Sequence, residues 1–87
     1  MIRRPLAFPA GFRMTRSSAA AVVQTACRFE SRMMIERRQK IVNAKSTLGL
    51  LSLYTDTEDP MTLLADGPDA EEAVQAVLDA VAALKEN

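Results

Sequence analysis

Residues 40–53 read Lys-Ile-Val-Asn-Ala-Lys-Ser-Thr-Leu-Gly-Leu-Leu-Ser-Leu. Lys40-Ile41-Val42-Asn43 carries two adjacent β-branched residues, which suit a strand. The run from Ala44 to Leu53 is then too apolar for a loop and too short for a full helix. Ser46 stands just ahead of Leu48, Leu50 and Leu51. A serine there can accept a bond from an orphan N–H at a helix start. The reading is a strand followed by a helix of one to two turns capped at Ser46.

Upstream, Met33-Met34-Ile35-Glu36 reads as a second strand, with Arg37-Arg38-Gln39 as the connection of a hairpin. Neither Gly nor Asn supplies positive φ there, so a tight type I′ turn is not expected. From Thr15 to Phe29 the period becomes helical. Ala19, Val22, Val23, Ala26 and Phe29 recur at spacings of three and four and share one face. Thr15, Ser17 or Ser18 would cap its start. Further upstream, Pro5 and Pro9 flank Leu6-Ala7-Phe8, read as a short strand. Prolines that lack an N–H confine such a strand to a sheet edge.

Downstream, residues 54–59 read as a polar, acidic loop, and Pro60 to Ala65 as another strand. Gly67-Pro68 then makes a turn. Asp69, followed three residues later by Glu72, is an Asp version of the capping box. Ala70, Ala73, Val74, Val77, Leu78, Val81 and Leu84 trace an apolar stripe behind it. The order is β-α-β-β-α-β-α. Helices packed on one face of an antiparallel sheet would bury all these stripes together, which defines an open-faced α+β sandwich.

The 87 residues make one domain, near the small end of what folds unaided. A single cysteine, Cys27, allows no internal disulfide, so apolar packing must hold the fold, and a reducing, cytoplasmic setting fits. No apolar run reaches the roughly 18 residues of a membrane span. Arg3 and Arg4 precede apolar residues, but a sustained apolar region of a signal peptide does not follow. The zero net charge hides an asymmetry. Residues 1–45 hold ten Lys/Arg against Glu30 and Glu36, and residues 46–87 hold Lys85 against nine Asp/Glu. Either the basic half serves an acidic or nucleic-acid partner, or the halves interleave and neutralise each other. The pI of about 6.2 and the missing aromatic interleaving argue against nucleic acid.

There is no histidine, which removes the commonest general base, phosphoryl acceptor and metal ligand. One cysteine gives no zinc pattern, and Gly11, Gly49 and Gly67 are too scattered for a phosphate loop. Neither metal nor cofactor is expected. Cys27 reads as an inert, packed residue, and Glu71, Glu72 and Asp79 as a solvated helix face. No enzyme is expected. Two helix starts remain. Arg13 and Arg16 with the hydroxyls of Thr15, Ser17 and Ser18 either cap a helix or hold an anion. Ser46 either caps its short helix or is also a modified serine, where a phosphoryl group would favour the dipole and add about −1.5 to −2 charges.

Over nearly its whole length the chain resembles HPr, the small phosphocarrier of the bacterial sugar phosphotransferase system. Val23-Gln24-Thr25-Ala26 with Phe29, then Val42 through Leu53, then Ala65 through Ala73 carry the resemblance in family order. It implies an HPr-like fold, a four-stranded antiparallel sheet with helices on one face. The family carries phosphate on a histidine in a Gly-Ile-His-Ala-Arg-Pro motif, taken from enzyme I and passed to sugar-specific proteins. A gapless count places Thr15 at that histidine, Arg16 at the alanine, Ser17 at the arginine and Ser18 at the proline. A shift of two places Arg13 there. Neither forms a phosphohistidine. Arg38-Gln39 stands in place of the family's hairpin Asn-Gly, and Tyr54 where glycine is usual.

The resemblance implies a second site at Ser46. In Gram-positive relatives an HPr kinase/phosphorylase modifies this serine, and the product docks on a catabolite-control repressor through the turn matching Thr47, Leu48 and Leu51. Lys45 would be a nearby compensating charge. A branch of the family lacks the histidine and keeps the serine. The expectation is therefore a histidine-less regulatory protein with protein partners, no direct nucleic acid and no membrane. Two alternatives stand beside it: a sugar-transport phosphocarrier charged by enzyme I, and a repurposed anion- or protein-binding module at Arg13 and Arg16.

Overall fold

The computed structural model describes residues 1–53 and 60–84. The loop expected over residues 54–59, Tyr54 included, lies outside the described residues. Strands β1 (Ile2–Leu6), β2 (Arg32–Arg37), β3 (Lys40–Asn43) and β4 (Met61–Asp66) alternate with helices α1 (Arg16–Ala26), α2 (Thr47–Leu51) and α3 (Ala70–Ala82). The element order is the one expected. The strands form one sheet in the order β1-β4-β2-β3, antiparallel throughout.

Alternation along the strands sets the layers. Met33 and Ile35 of β2, Leu63 and Ala65 of β4, Leu6 of β1 and Val42 of β3 are buried on one face. Ala19, Val22 and Ala26 of α1, with Ala73, Val74, Val77 and Val81 of α3, complete that core. The expected stripes are thus the buried faces, with Val23, Phe29, Leu78 and Leu84 half-buried at its margin. Arg3, Glu36 and Ile41 belong to the opposite, open face, where Ile41 is 53% exposed.

Four local expectations are corrected. The first strand runs Ile2–Leu6, not Leu6 to Phe8. Pro5 sits inside it, paired with Thr62, and β1 is indeed an edge. Phe8 leaves the strand to stack on Phe12 at 5.7 Å between ring centroids, so its burial is loop packing. Helix α1 stops at Ala26 rather than Phe29. Arg28 and Phe29 donate to Thr25 and Ala26 carbonyls at 3.2 Å, the tighter i→i−3 pattern that closes a helix.

Cys27 is exposed, not packed. It is the C-cap residue, one step of about 100° past Ala26 and so off the apolar stripe. Asp69 is the N-cap of α3 but makes no side-chain cap bond. Its carboxylate instead accepts the backbone N–H of Glu30 at 3.0 Å and of Ser31 at 2.9 Å, and the Ser31 hydroxyl. These distant donors outcompete the local ones and tie the α1–β2 link to the start of α3. Gly67, at φ 153°, passes so close that a Cβ would lie 2.6 Å from Ser31 Cα.

The β2–β3 hairpin closes with two residues, because Arg37 pairs directly with Lys40. Arg38 takes φ 55° and is the only non-glycine residue at positive φ among the described residues. A type I′ turn, which needs positive φ at both central residues, does not form. The tight turn forms all the same, with arginine in a region that costs a residue bearing Cβ roughly 1–2 kcal/mol.

Candidate functional site

Helix α2 is built from the end of β3. Asn43 accepts the Ser46 N–H on its carbonyl at 3.0 Å and the Lys45 N–H on its side-chain oxygen at 2.8 Å. The chain thereby turns, and Ser46 enters the helix as N-cap. Its Oγ accepts the Gly49 N–H at 3.1 Å. Gly49 also lets α2 lie close on β3, since a Cβ would meet the Asn43 carbonyl at 3.2 Å. Leu50 is fully buried and anchors the turn in the core, while Leu48 on the other side is 81% exposed. Thr47, Ser46 and Lys45 are half-buried, and Leu51 is half-buried against the core cluster.

Two lysines hold this short helix, one at each end. Lys45 Nζ donates to the Phe29 carbonyl at 2.7 Å, bridging the exit of α1 to the entrance of α2. Lys40 Nζ donates to the Ser52 carbonyl at 3.1 Å, where a cation complements the C-terminal end of the dipole. The Lys40 contact was not expected. No local signal marks it, since twelve residues separate the partners and only the turn of the chain brings them together.

At the other helix start, Thr15 Oγ1 accepts the Ser18 N–H at 3.2 Å and Ser18 Oγ accepts the Thr15 N–H at 2.8 Å. This is a reciprocal capping box with Ser18 in the place usually held by Glu or Gln. Thr15 is therefore the cap among the three candidates. Arg13, Arg16 and Ser17 are exposed beside it. The Thr15 and Ser18 hydroxyls are committed to the backbone of the cap, and no imidazole is present to take a phosphoryl group.

Fold and site together define a small open-faced α+β protein with a serine-capped, solvent-facing apolar turn. Residues 14–83 match the family profile described as the PTS HPr component phosphorylation site. The chain belongs to the HPr family. It is 45% identical over 60 residues to the HPr-like protein Crh of Halalkalibacterium halodurans, covering 69% of this chain and 71% of that one. It is 47% identical over 57 residues to the HPr-like protein Crh of Bacillus subtilis, covering 66% of this chain and 67% of that one. The crystal structure of a phosphocarrier protein HPr from Bacillus anthracis superposes with a TM-score of 0.81 at 35% identity, covering 92% of this chain and 95% of that one. Among the described residues, no helix is long and apolar enough to cross a membrane.

Proposed function

We propose that this protein is a regulatory member of the HPr family, a binding protein and not a catalyst, switched by phosphorylation of Ser46. The observation that carries the reading is one-sided loss. The chain contains no histidine, yet the turn beginning at Ser46 keeps its cap, its buried anchor Leu50 and its exposed Leu48. Likeness to the two Crh proteins supports the catabolite-repression branch, and a cytoplasmic setting fits that reading. Its partners are an HPr kinase/phosphorylase that modifies Ser46 and a catabolite-control repressor that reads the product.

The chemistry follows from the cap. A phosphoryl group on Ser46 Oγ would still sit against the helix N-terminal N–H groups, which favour negative charge. Thr47, Leu48 and Leu51 would supply the partner's apolar contact. Lys45 lends positive charge beside the serine, and its bond to Phe29 keeps the serine's backbone in place.

The test is incubation with an HPr kinase and ATP, followed by intact mass. The wild type gains one phosphoryl group and Ser46→Ala gains none. A wild type that stays at its starting mass overturns the reading. A second incubation, with phosphoenolpyruvate and enzyme I, is expected to transfer nothing, because Thr15 and Arg13 stand where a histidine would be needed.

A further inference from the structure

The β2–β3 hairpin tip combines three features that the Ser46 reading does not use. Arg37, Arg38 and Lys40 place three cations within four residues. With Gln39 they line an open cavity of about 670 Å³, inside the range of small-molecule sites. Arg38 also holds a left-handed conformation that glycine or asparagine would adopt without strain. A residue kept in a sparsely populated conformation points to a demand other than stability.

The chemistry of the lining narrows the ligand. Arginine guanidinium groups are planar forks that match phosphate oxygens two at a time, and lysine adds a compact point charge. The cavity is wide open to solvent, so a ligand there is held by charge and by the guanidinium forks more than by enclosure. Lys40 is steadied by the Ser52 carbonyl at 3.1 Å, so one of the three cations is held in place before a ligand arrives. We propose that the hairpin tip binds a small ligand bearing two or more phosphate groups, gripped by Arg37, Arg38 and Lys40. The site lies at the hairpin tip, apart from the Ser46 cap at the start of α2.

The experiment titrates inorganic pyrophosphate into the full chain at constant ionic strength, followed by amide chemical shifts and calorimetry. The variants are Arg38→Gly and Arg38→Asn, with Arg16→Gln as a control at the α1 start. Saturable binding with shifts centred on residues 37–40 is expected, weakened at least tenfold in both Arg38 variants and unchanged in Arg16→Gln. Both Arg38 variants should melt at or above the wild-type temperature, which excludes unfolding as the cause of lost binding. Shifts centred on residues 13–18, or equal affinity in the Arg38 variants, overturn the proposal. So does absence of saturable binding, including the case where only an acidic peptide perturbs the tip.

Discussion

Asp69 and Ser31, 38 residues apart, are joined twice: the carboxylate accepts both the N–H and the hydroxyl of the serine. Ser31 is the only buried polar residue among those described, so this carboxylate satisfies groups that water does not reach. The Ser31 hydroxyl, followed by the Glu30 N–H, holds the Asp69 carboxyl below its ordinary value of 3.8. A depressed folded-state value means stability that is present above the unfolded value and is lost as pH falls through the folded one. Melting temperature should therefore drop on acidification from about pH 5 downward. In Asp69→Asn that part of the slope should vanish. An unchanged acid limb in Asp69→Asn would show that other carboxylates set it.

Gly67→Ala tests the same junction from the other side. Its Cβ would meet Ser31 Cα at 2.6 Å, with φ 153° fixed by the turn. Backbone must move, so roughly 2–4 kcal/mol of destabilisation is expected in urea unfolding. A loss below about 0.5 kcal/mol would mean that the turn yields without disturbing Ser31.

Leu50 and Leu48 lie two residues apart on α2 and should separate fold from function. Leu50→Ala empties a fully buried site and should cost about 2–5 kcal/mol. Leu48→Ala, at 81% exposure, should change stability by less than about 0.5 kcal/mol. Under the proposed function, Leu48→Ala should nonetheless weaken capture by a catabolite-control repressor once Ser46 is phosphorylated. Undiminished capture would remove Leu48 from the contact.

Ser46→Ala should lose the Gly49 bond and about 1 kcal/mol of stability, whereas Ser46→Asp can cap and should recover most of it. Differential scanning calorimetry of the two variants reads this directly. Equal losses would show that the cap is not what the hydroxyl contributes.

Lys45→Met keeps the stem and removes the ammonium that binds the Phe29 carbonyl. About 1 kcal/mol of stability should be lost. Amide exchange should quicken around residues 44–50 if the tether holds the entrance of α2. Exchange left at the wild-type rate would make Lys45 a surface charge only.

Much of this architecture was legible from period and punctuation. The stripe from Ala70 to Val81 has a single reading once a core must be buried. Ser46 was legible because a cap needs only its own neighbours. Asp69 was misread for the opposite reason, since its partners lie in another part of the chain. Cys27 was misjudged because proximity to an apolar stripe is not membership of it. Pro5 hid the first strand, for proline signals an edge but not which side of it the strand continues. At Arg38, the pairing of Arg37 with Lys40 imposed a turn that the two residues alone would not choose. At the candidate site the serine and its leucines were visible, whereas both lysine tethers depend on long-range placement.

The position of β4 has a consequence for how the molecule is made. Every ladder bond of β1 is to β4, with Ile2 opposite Ala65. During synthesis α1, the hairpin and α2 can form from near neighbours, while β1 has no strand to join. Completion of residue 66 supplies β4, which enters between β1 and β2 and joins two parts that had not touched. Closing so long a loop is slow, so sheet completion is expected to govern the folding rate. Within this sheet, the strand that comes first in chain order waits for the one that comes fourth.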